Sequence, residues 1–218
     1  MSDVLSLEVV DADGAIREAL DEAAADSRAS FLKKAVLGGG AFLAGGVMFG
    51  GFPKLALGAP SPAQDVQILN FALLLEFLEE EFYGRAVRSG SLSGETLAFA
   101  RVVARNEAAH ARFLQRTLGS AARRKPRFDF GEATENQAMF QAVAMTLEDT
   151  GVAAYNGQGP NLTRGALAAA GQIVSVEARQ AAWIRNILRR QPAPSPFDKP
   201  LTKAQVEARV RRTGFIQS

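Results

Sequence analysis

The chain has 218 residues, 47% of them hydrophobic and 22% charged, with a formal net charge of +2 and no cysteine. That suits one domain with extensions or at most two small domains, supplies a sizeable core and gives no sign of bulk disorder. Without cysteine there is no disulfide scaffold, zinc–thiolate site or thiol chemistry, so any metal must be held by oxygen and imidazole.

The first element is an acidic stretch. Residues 1–26 carry Asp3, Glu8, Asp11, Asp13, Glu18, Asp21, Glu22 and Asp26 against one base, Arg17. Ser27-Arg28-Ala29-Ser30-Phe31-Leu32-Lys33-Lys34 then precedes an uncharged run from Ala35 to Pro53 with seven glycines, followed by Leu57-Gly58-Ala59. A basic segment, a mildly apolar segment and a small-residue site come in the order of a signal peptide. The block resembles a twin-arginine (Tat) export signal, with Ala29 where the second arginine of that pattern stands. The resemblance implies export of a folded protein to the periplasm or cell envelope, with cleavage or with the segment kept as an anchor. Retention in the cytoplasm is the remaining alternative. The uncharged run barely reaches the length of a bilayer span, and its glycines weaken a membrane helix. Residues 1–59 therefore read as an address rather than as part of the fold.

From residue 60 onward Ala, Leu, Glu, Arg and Gln dominate and β-branched runs are scarce, which predicts an all-α fold. Ser61-Pro62-Ala63-Gln64 reads as a capped helix start, and that helix is expected to run to about Arg88 before Ser89-Gly90. Ser93 is expected to cap a second helix that stops at Gly119. Residues 120–133 read as a basic loop containing Phe128-Asp129-Phe130. Thr134-Glu135-Asn136-Gln137 repeats the cap pattern and opens a third helix to about Tyr155, broken by Asn156-Gly157 and Gly159-Pro160. A fourth helix is expected from about Thr163 to Arg190. The four helices predict an antiparallel four-helix bundle with short connections over residues 60–191. Residues 192–218 read as a tail with Pro192, Pro194, Pro196 and Pro200, where Thr202-Lys203-Ala204-Gln205 starts a short final helix. Bases outnumber acids in this part but are scattered, apart from Arg123-Arg124-Lys125 and Arg209, Arg211 and Arg212. With neither a basic stripe with interleaved aromatics nor a reading motif, nucleic acid is not an expected partner.

An internal repeat carries the chemistry. Glu76 lies seven residues before Tyr83, and Glu107 three before His110; Glu148 lies seven before Tyr155, and Glu177 three before Gln180. Helices one and two thus look like a duplicate of helices three and four. Offsets of three, four and seven share one side of a helix. Leu69, Ala72 and Leu73 flank Glu76 in this way, Val103, Ala111 and Leu114 flank Glu107, Ala144, Met145 and Val152 flank Glu148, and Ile173, Val174 and Ile184 flank Glu177. Each glutamate therefore sits in the apolar stripe that faces a bundle interior. Converging buried carboxylates repel, and each must pair or take up a proton. Divalent cations remove that cost, and carboxylates with imidazole suit iron or manganese.

The set matches carboxylate-bridged di-iron and di-manganese bundles, in which two helices give one Glu each and two give Glu-x-x-His. On these residues the chain resembles the ferritin-like superfamily, and more closely the bacterial ferritin-like domain family related to desiccation-associated proteins. The likeness is carried by Leu69-Asn70-Phe71-Ala72, Leu75-Glu76-Phe77-Leu78-Glu79, Phe82-Tyr83, Asn106-Glu107-Ala108-Ala109-His110, Leu147-Glu148-Asp149 through Tyr155, Val176-Glu177-Ala178-Arg179 and the tail from Pro192 to Thr202. The resemblance implies metal ligands at Glu76, Glu107, His110, Glu148, Glu177 and Gln180, holding two iron or manganese ions. Gln180 stands where the family has a second histidine, so the half-site of Glu148, Glu177 and Gln180 is expected to be the weaker. The implied activity is oxidation of Fe(II) or consumption of peroxide, with dioxygen or hydrogen peroxide as oxidant. The alternative is a non-catalytic stress- or desiccation-related envelope protein with a degenerate or structural metal site. A monomer or homodimer is expected, with membrane contact only through an uncleaved N-terminal segment.

A lone histidine on an apolar face is usually a core residue, but its partner Glu107 and the repeat make His110 a ligand candidate. Glu79, Glu80 and Glu81 read most simply as a solvated acidic turn, with Glu79 or Glu80 as an extra ligand in the alternative. Tyr83 and Tyr155 read as core aromatics whose hydroxyls support Glu148 or Glu76 from behind. Trp183 and Phe113 read as core packing, and the basic C-terminal run as a solvated face.

Overall fold

A computed structural model describes residues 60–217. The expectations for residues 1–59, including the export signal and the anchor, lie outside the described residues.

Four long helices form the body: α1 (Pro62–Ser89), α2 (Gly94–Leu118), α3 (Gln137–Gln158) and α4 (Arg164–Ile187). A shorter α5 (Lys203–Thr213) and a two-stranded antiparallel pair, β1 (Arg127–Phe128) with β2 (Ile216–Gln217), complete it. Among the described residues no helix is long and apolar enough to cross a membrane.

Several boundaries follow local chemistry as expected. The Ser61 hydroxyl accepts from the Gln64 amide, Pro62 fills the first turn, and Gly90 ends α1 in the left-handed conformation at φ 74°. At α5 the Thr202 hydroxyl and the Gln205 side chain form a reciprocal capping box. Other boundaries differ. Asn136, not Thr134, caps α3, accepting from the Met139 amide at 3.1 Å. Thr134 instead ends a short 3-10 turn, its hydroxyl turned back toward the Gly131 carbonyl. Asn156-Gly157 does not break α3, which continues to Gln158. Gly157 is kept for space: a Cβ there would stand 1.8 Å from the Leu201 carbonyl oxygen of the tail. The fourth helix ends at Ile187, and Arg189 beyond it is left-handed at φ 56°.

Helix directions follow from contacts at the ends. Asp65 in the first turn of α1 accepts from the Thr163 backbone N–H at 2.9 Å and from its hydroxyl at 2.5 Å, so α1 and α4 start at the same end. The Gln137 side chain accepts from the Ser93 backbone N–H at 2.7 Å, so α2 and α3 start together at the other end. The helices packed as neighbours, α1 on α2, α3 on α4, α1 on α3 and α2 on α4, are therefore antiparallel.

This arrangement requires the α2–α3 connection to travel the length of the bundle, and the basic loop does so along α1. The Ala121 carbonyl accepts from Asn70 early in α1, Lys125 pairs with Glu80 and Glu81 midway, and the Thr134 carbonyl accepts from Ser91 beyond the far end. Phe128 and Phe130 are buried on this strap, and Phe130 meets Phe82 of α1 and Phe215 near the C-terminus edge-on. β1 pairs with β2, so the chain end fastens the strap. The apolar burial is continuous from Leu69 and Leu73 through Phe82, Phe99 and Phe140 to Ile184, and it is what holds four amphipathic helices together.

Candidate metal centre

Each long helix delivers part of one buried polar cluster. Helix α1 contributes Glu76, Glu79 and Tyr83, α2 contributes Glu107 and His110, α3 contributes Glu148 and Tyr155, and α4 contributes Glu177 and Gln180. Glu107, Glu148 and Glu177 are fully buried, and Glu76 and Glu79 nearly so. One ligand atom each from Glu76, Glu107, His110 and Glu177 lies within 4.8 Å of the others. His110 Nδ1 stands 2.9 Å from Glu107 Oε2 and 3.3 Å from both Glu76 Oε2 and Glu177 Oε1. Glu148 and Gln180 stand beside this group. Gln180 Nε2 donates to Glu107 Oε1 at 2.6 Å and to Glu148 Oε2 at 3.1 Å.

The tyrosines support the carboxylates across the repeat. Tyr83 donates to Glu148 and Tyr155 donates to Glu76, so each half of the duplicated sequence holds the glutamate of the other. The Glu-x6-Tyr spacing thus has a geometric meaning: two turns of helix carry the hydroxyl from its own glutamate to the equivalent one on the facing helix.

Two positions break this symmetry. His110 in the first half corresponds to Gln180 in the second, and Gln180 turns its amide nitrogen, not its carbonyl oxygen, toward the carboxylates. Its Oε1 instead accepts from Asn106 Nδ2 at 2.7 Å. The expected oxygen ligand therefore points away from the cluster. Glu79 corresponds to Gly151. A Cβ on Gly151 would stand 2.8 Å from Glu177 Oε2 and 3.6 Å from Glu79 Oε1, so the missing side chain makes room for both carboxyls. Glu79 is accordingly no part of a solvated turn, although Glu80 and Glu81 are, each paired with Lys125. The signal for Glu79 was its three-residue offset from Glu76, which places both on one face.

Burial dominates the electrostatics. It pushes the carboxyls of Glu79, Glu107 and Glu148 well above their ordinary range, with the Glu177 charge the next contributor in each. Burial raises Glu177 to about 7, with the Glu76 charge adding and the His110 hydrogen bond opposing. For His110 burial acts downward, but bonds to Glu107, Glu177 and Glu76 together outweigh it and push the imidazole up to about 12. The phenols of Tyr83 and Tyr155 are also pushed well up, by burial and by their carboxylate partners, and remain protonated donors.

A divalent cation fits these residues. Glu76 Oε2 and Glu177 Oε1 are buried with only the shared His110 nitrogen near them, at 3.3 Å, and Glu177 Oε2 is buried with no partner, a condition that costs free energy unless a proton or a further cation is supplied. The donor set of carboxylate oxygens and one imidazole nitrogen suits a divalent cation that is not thiophilic. Trp183 and Phe113 are partly buried and pack against the core, and the Trp183 indole N–H donates to Glu95 Oε1 at 3.0 Å. Trp183 lines a surface cleft of about 440 Å³ between α2 and α4, together with Val102, Asn106, Ala109, His110 and Gln180. His110 and Gln180 are thus the members of the cluster that line this cleft.

A family model described as "Ferritin-like domain" matches residues 64–190, the stretch that contains all four long helices from Gln64 and every residue of the cluster. No curated protein matches the chain.

Proposed function

Because the chain belongs to the ferritin-like domain family, we propose that its buried cluster is an iron or manganese centre that oxidises Fe(II) or consumes peroxide. The strap that carries the chain from α2 to α3 agrees with the single long crossover of ferritin-like bundles. The observation that carries the proposal is the convergence of buried Glu76, Glu107 and Glu177 oxygens on the one nitrogen of His110, which three acids must share, with Glu177 Oε2 left without a partner.

Glu76, Glu107, His110 and Glu177 would hold the metal. When bound, the ion supplies electrons one at a time to an oxidant such as dioxygen or hydrogen peroxide. The protein's part is to hold charge and protons in place. Tyr155 fixes Glu76 and Tyr83 fixes Glu148, so carboxylate positions are set before anything binds. Protons on Glu107, Glu177 and the Nδ1 of His110 leave as a cation enters, and Glu177, poised at about 7, changes state at ambient pH. The cleft at His110 admits a small oxidant, while the apolar body of the bundle keeps bulk water from the remaining carboxylates.

The test is anaerobic loading of the metal-free protein with Fe(II) or Mn(II), elemental analysis after desalting, and then the rate of Fe(II) oxidation on adding oxygen or peroxide. Wild type should retain metal and oxidise Fe(II) faster than buffer, and Glu107→Ala should lose both properties. A wild-type protein that retains neither metal refutes the proposal.

A second reading is a non-catalytic stress-related envelope protein with a structural ion, favoured by the Gln180 amide that already occupies Glu107 and Glu148. It predicts retained metal and a raised melting temperature, with Fe(II) oxidation no faster than in buffer. Export to the envelope, proposed on residues 27–59, is tested by cell fractionation and by the mass of the mature N-terminus; an intact chain in the cytosol refutes it.

A further inference from the structure

The two halves of the cluster differ in what already satisfies their oxygens. On the Gln180 side both oxygens of Glu148 and the near oxygen of Glu107 have a protein donor. Glu148 Oε1 accepts from Tyr83, while Glu148 Oε2 and Glu107 Oε1 both accept from the two N–H groups of Gln180 Nε2. On the His110 side the balance is reversed. One imidazole nitrogen is shared by Glu76 Oε2, Glu107 Oε2 and Glu177 Oε1, at 3.3, 2.9 and 3.3 Å, and Glu177 Oε2 has no partner at all.

We infer that the carboxamide of Gln180 takes the place of a second metal ion, so that the centre binds one divalent cation, at Glu76, Glu107, His110 and Glu177. This rests on the reading of the cluster as a metal centre. An amide NH₂ between two carboxylates does what a bridging cation would do there. It presents positive charge to both acids at hydrogen-bond distance, without the charge or reach to draw in Glu177 as well.

The orientation of that amide is held from outside. Asn106 donates to Gln180 Oε1, so the Gln180 carbonyl has a partner only when it faces outward. Turning the carbonyl inward as a ligand would set Gln180 Nε2 against Asn106 Nδ2, donor against donor. Both amides would then have to turn together, and Glu107 and Glu148 would each lose a buried hydrogen bond. Loss of a donor to a buried acceptor is expensive, and a glutamine oxygen is a weak compensation for it. Asn106 and Gln180 are therefore positioning residues that close one half of the site. Glu107 is shared: its Oε1 stays with Gln180, and its Oε2 faces the ion.

The experiment is an anaerobic titration of the metal-free full chain with Mn(II), read as ions retained per chain and as the electron paramagnetic resonance pattern. Gln180→His and Gln180→Glu are carried alongside; the second is nearly isosteric and keeps the comparison available if the first is crowded. Wild type is expected to retain one ion per chain with the hyperfine pattern of an isolated manganese. At least one variant is expected to retain two ions, with the denser pattern of a coupled pair. Two ions in wild type overturn the inference while leaving the metal-centre reading in place. One ion in wild type and in both folded variants overturns the role given to Gln180. No retained ion in wild type removes the metal-centre reading itself, and the inference with it.

Discussion

Tyr83 on α1 donates its hydroxyl to Glu148 on α3 at 2.5 Å, in a place where neither group meets water. Tyr83→Phe leaves a buried carboxyl oxygen without a donor and should destabilise the metal-free protein by about 1–3 kcal/mol. Tyr155→Phe, which releases Glu76 in the same way, should act similarly. Urea denaturation of both variants checks this. Midpoints equal to wild type would show that the tyrosines contribute packing alone.

Glu79 is buried beside Glu177, Glu148, Glu107 and Glu76, and its carboxyl is pushed well up by burial first and by those charges second. Glu79→Gln removes an ionisable group from a crowded interior at nearly constant volume. The metal-free variant should melt higher than wild type at neutral pH, by about 2–4 °C for each kcal/mol of strain relieved. A lower melting temperature would mean that the Glu79 carboxyl makes a contact the fold needs.

Gly151 and Gly157 sit on the same helix but should fail differently. At Gly157 an added methyl meets the backbone carbonyl of Leu201 at 1.8 Å, which nothing short of moving the tail relieves. Gly157→Ala should cost about 1–3 kcal/mol and expose the segment after Ile187 to limited proteolysis. At Gly151 the methyl meets the Glu177 side chain at 2.8 Å, which can swing aside. Gly151→Ala should therefore spare the fold and weaken Mn(II) retention. Equal proteolysis of the two variants would contradict this division.

The protonation of the cluster sets the sign of its pH dependence. Glu79, Glu107 and Glu148 are raised by burial, and Glu177 is raised from 4.5 to about 7. The folded metal-free protein thus keeps protons that the unfolded chain releases. Stability from these groups is fully present below about pH 4.5 and is lost as pH rises through their folded values, for Glu177 at about 7. His110, raised from 6.5 to about 12, has the same sign at higher pH. A metal ion must displace these protons, so the rise in melting temperature on adding Mn(II) should grow from about pH 4.5 to about 7. Melting curves with and without Mn(II) across that window test it. A metal effect that shrinks with rising pH would refute it.

The helices and their glutamates were legible in the sequence because helical periodicity is local. The caps at Ser61 and Thr202, the apolar stripes around Glu76 and Glu177, and the repeat of Glu-x6-Tyr with Glu-x2-His or Gln need only neighbours within two turns. Misplaced details have competitors near and far: Asn136 takes the cap from Thr134 two residues away, and the distant carbonyl of Leu201 makes Gly157 a contact point rather than a break. For Glu79 the offset from Glu76 pointed inward while the run of three acids pointed to a solvated turn, and composition alone does not decide between them; burial in the fold does.

By itself, the sequence determined that four amphipathic helices carry carboxylates, one imidazole and one carboxamide on their inner faces. Only the tertiary structure decided which side chains meet. Tyr83 reaches Glu148 and not Glu76, the basic loop runs along α1, and the Gln180 amide presents its nitrogen to the acids and its oxygen to Asn106. Those outcomes depend on helix direction and on hydrogen-bond partners distant in the chain. Periodicity places a residue on a face, but the neighbouring helix chooses its partner.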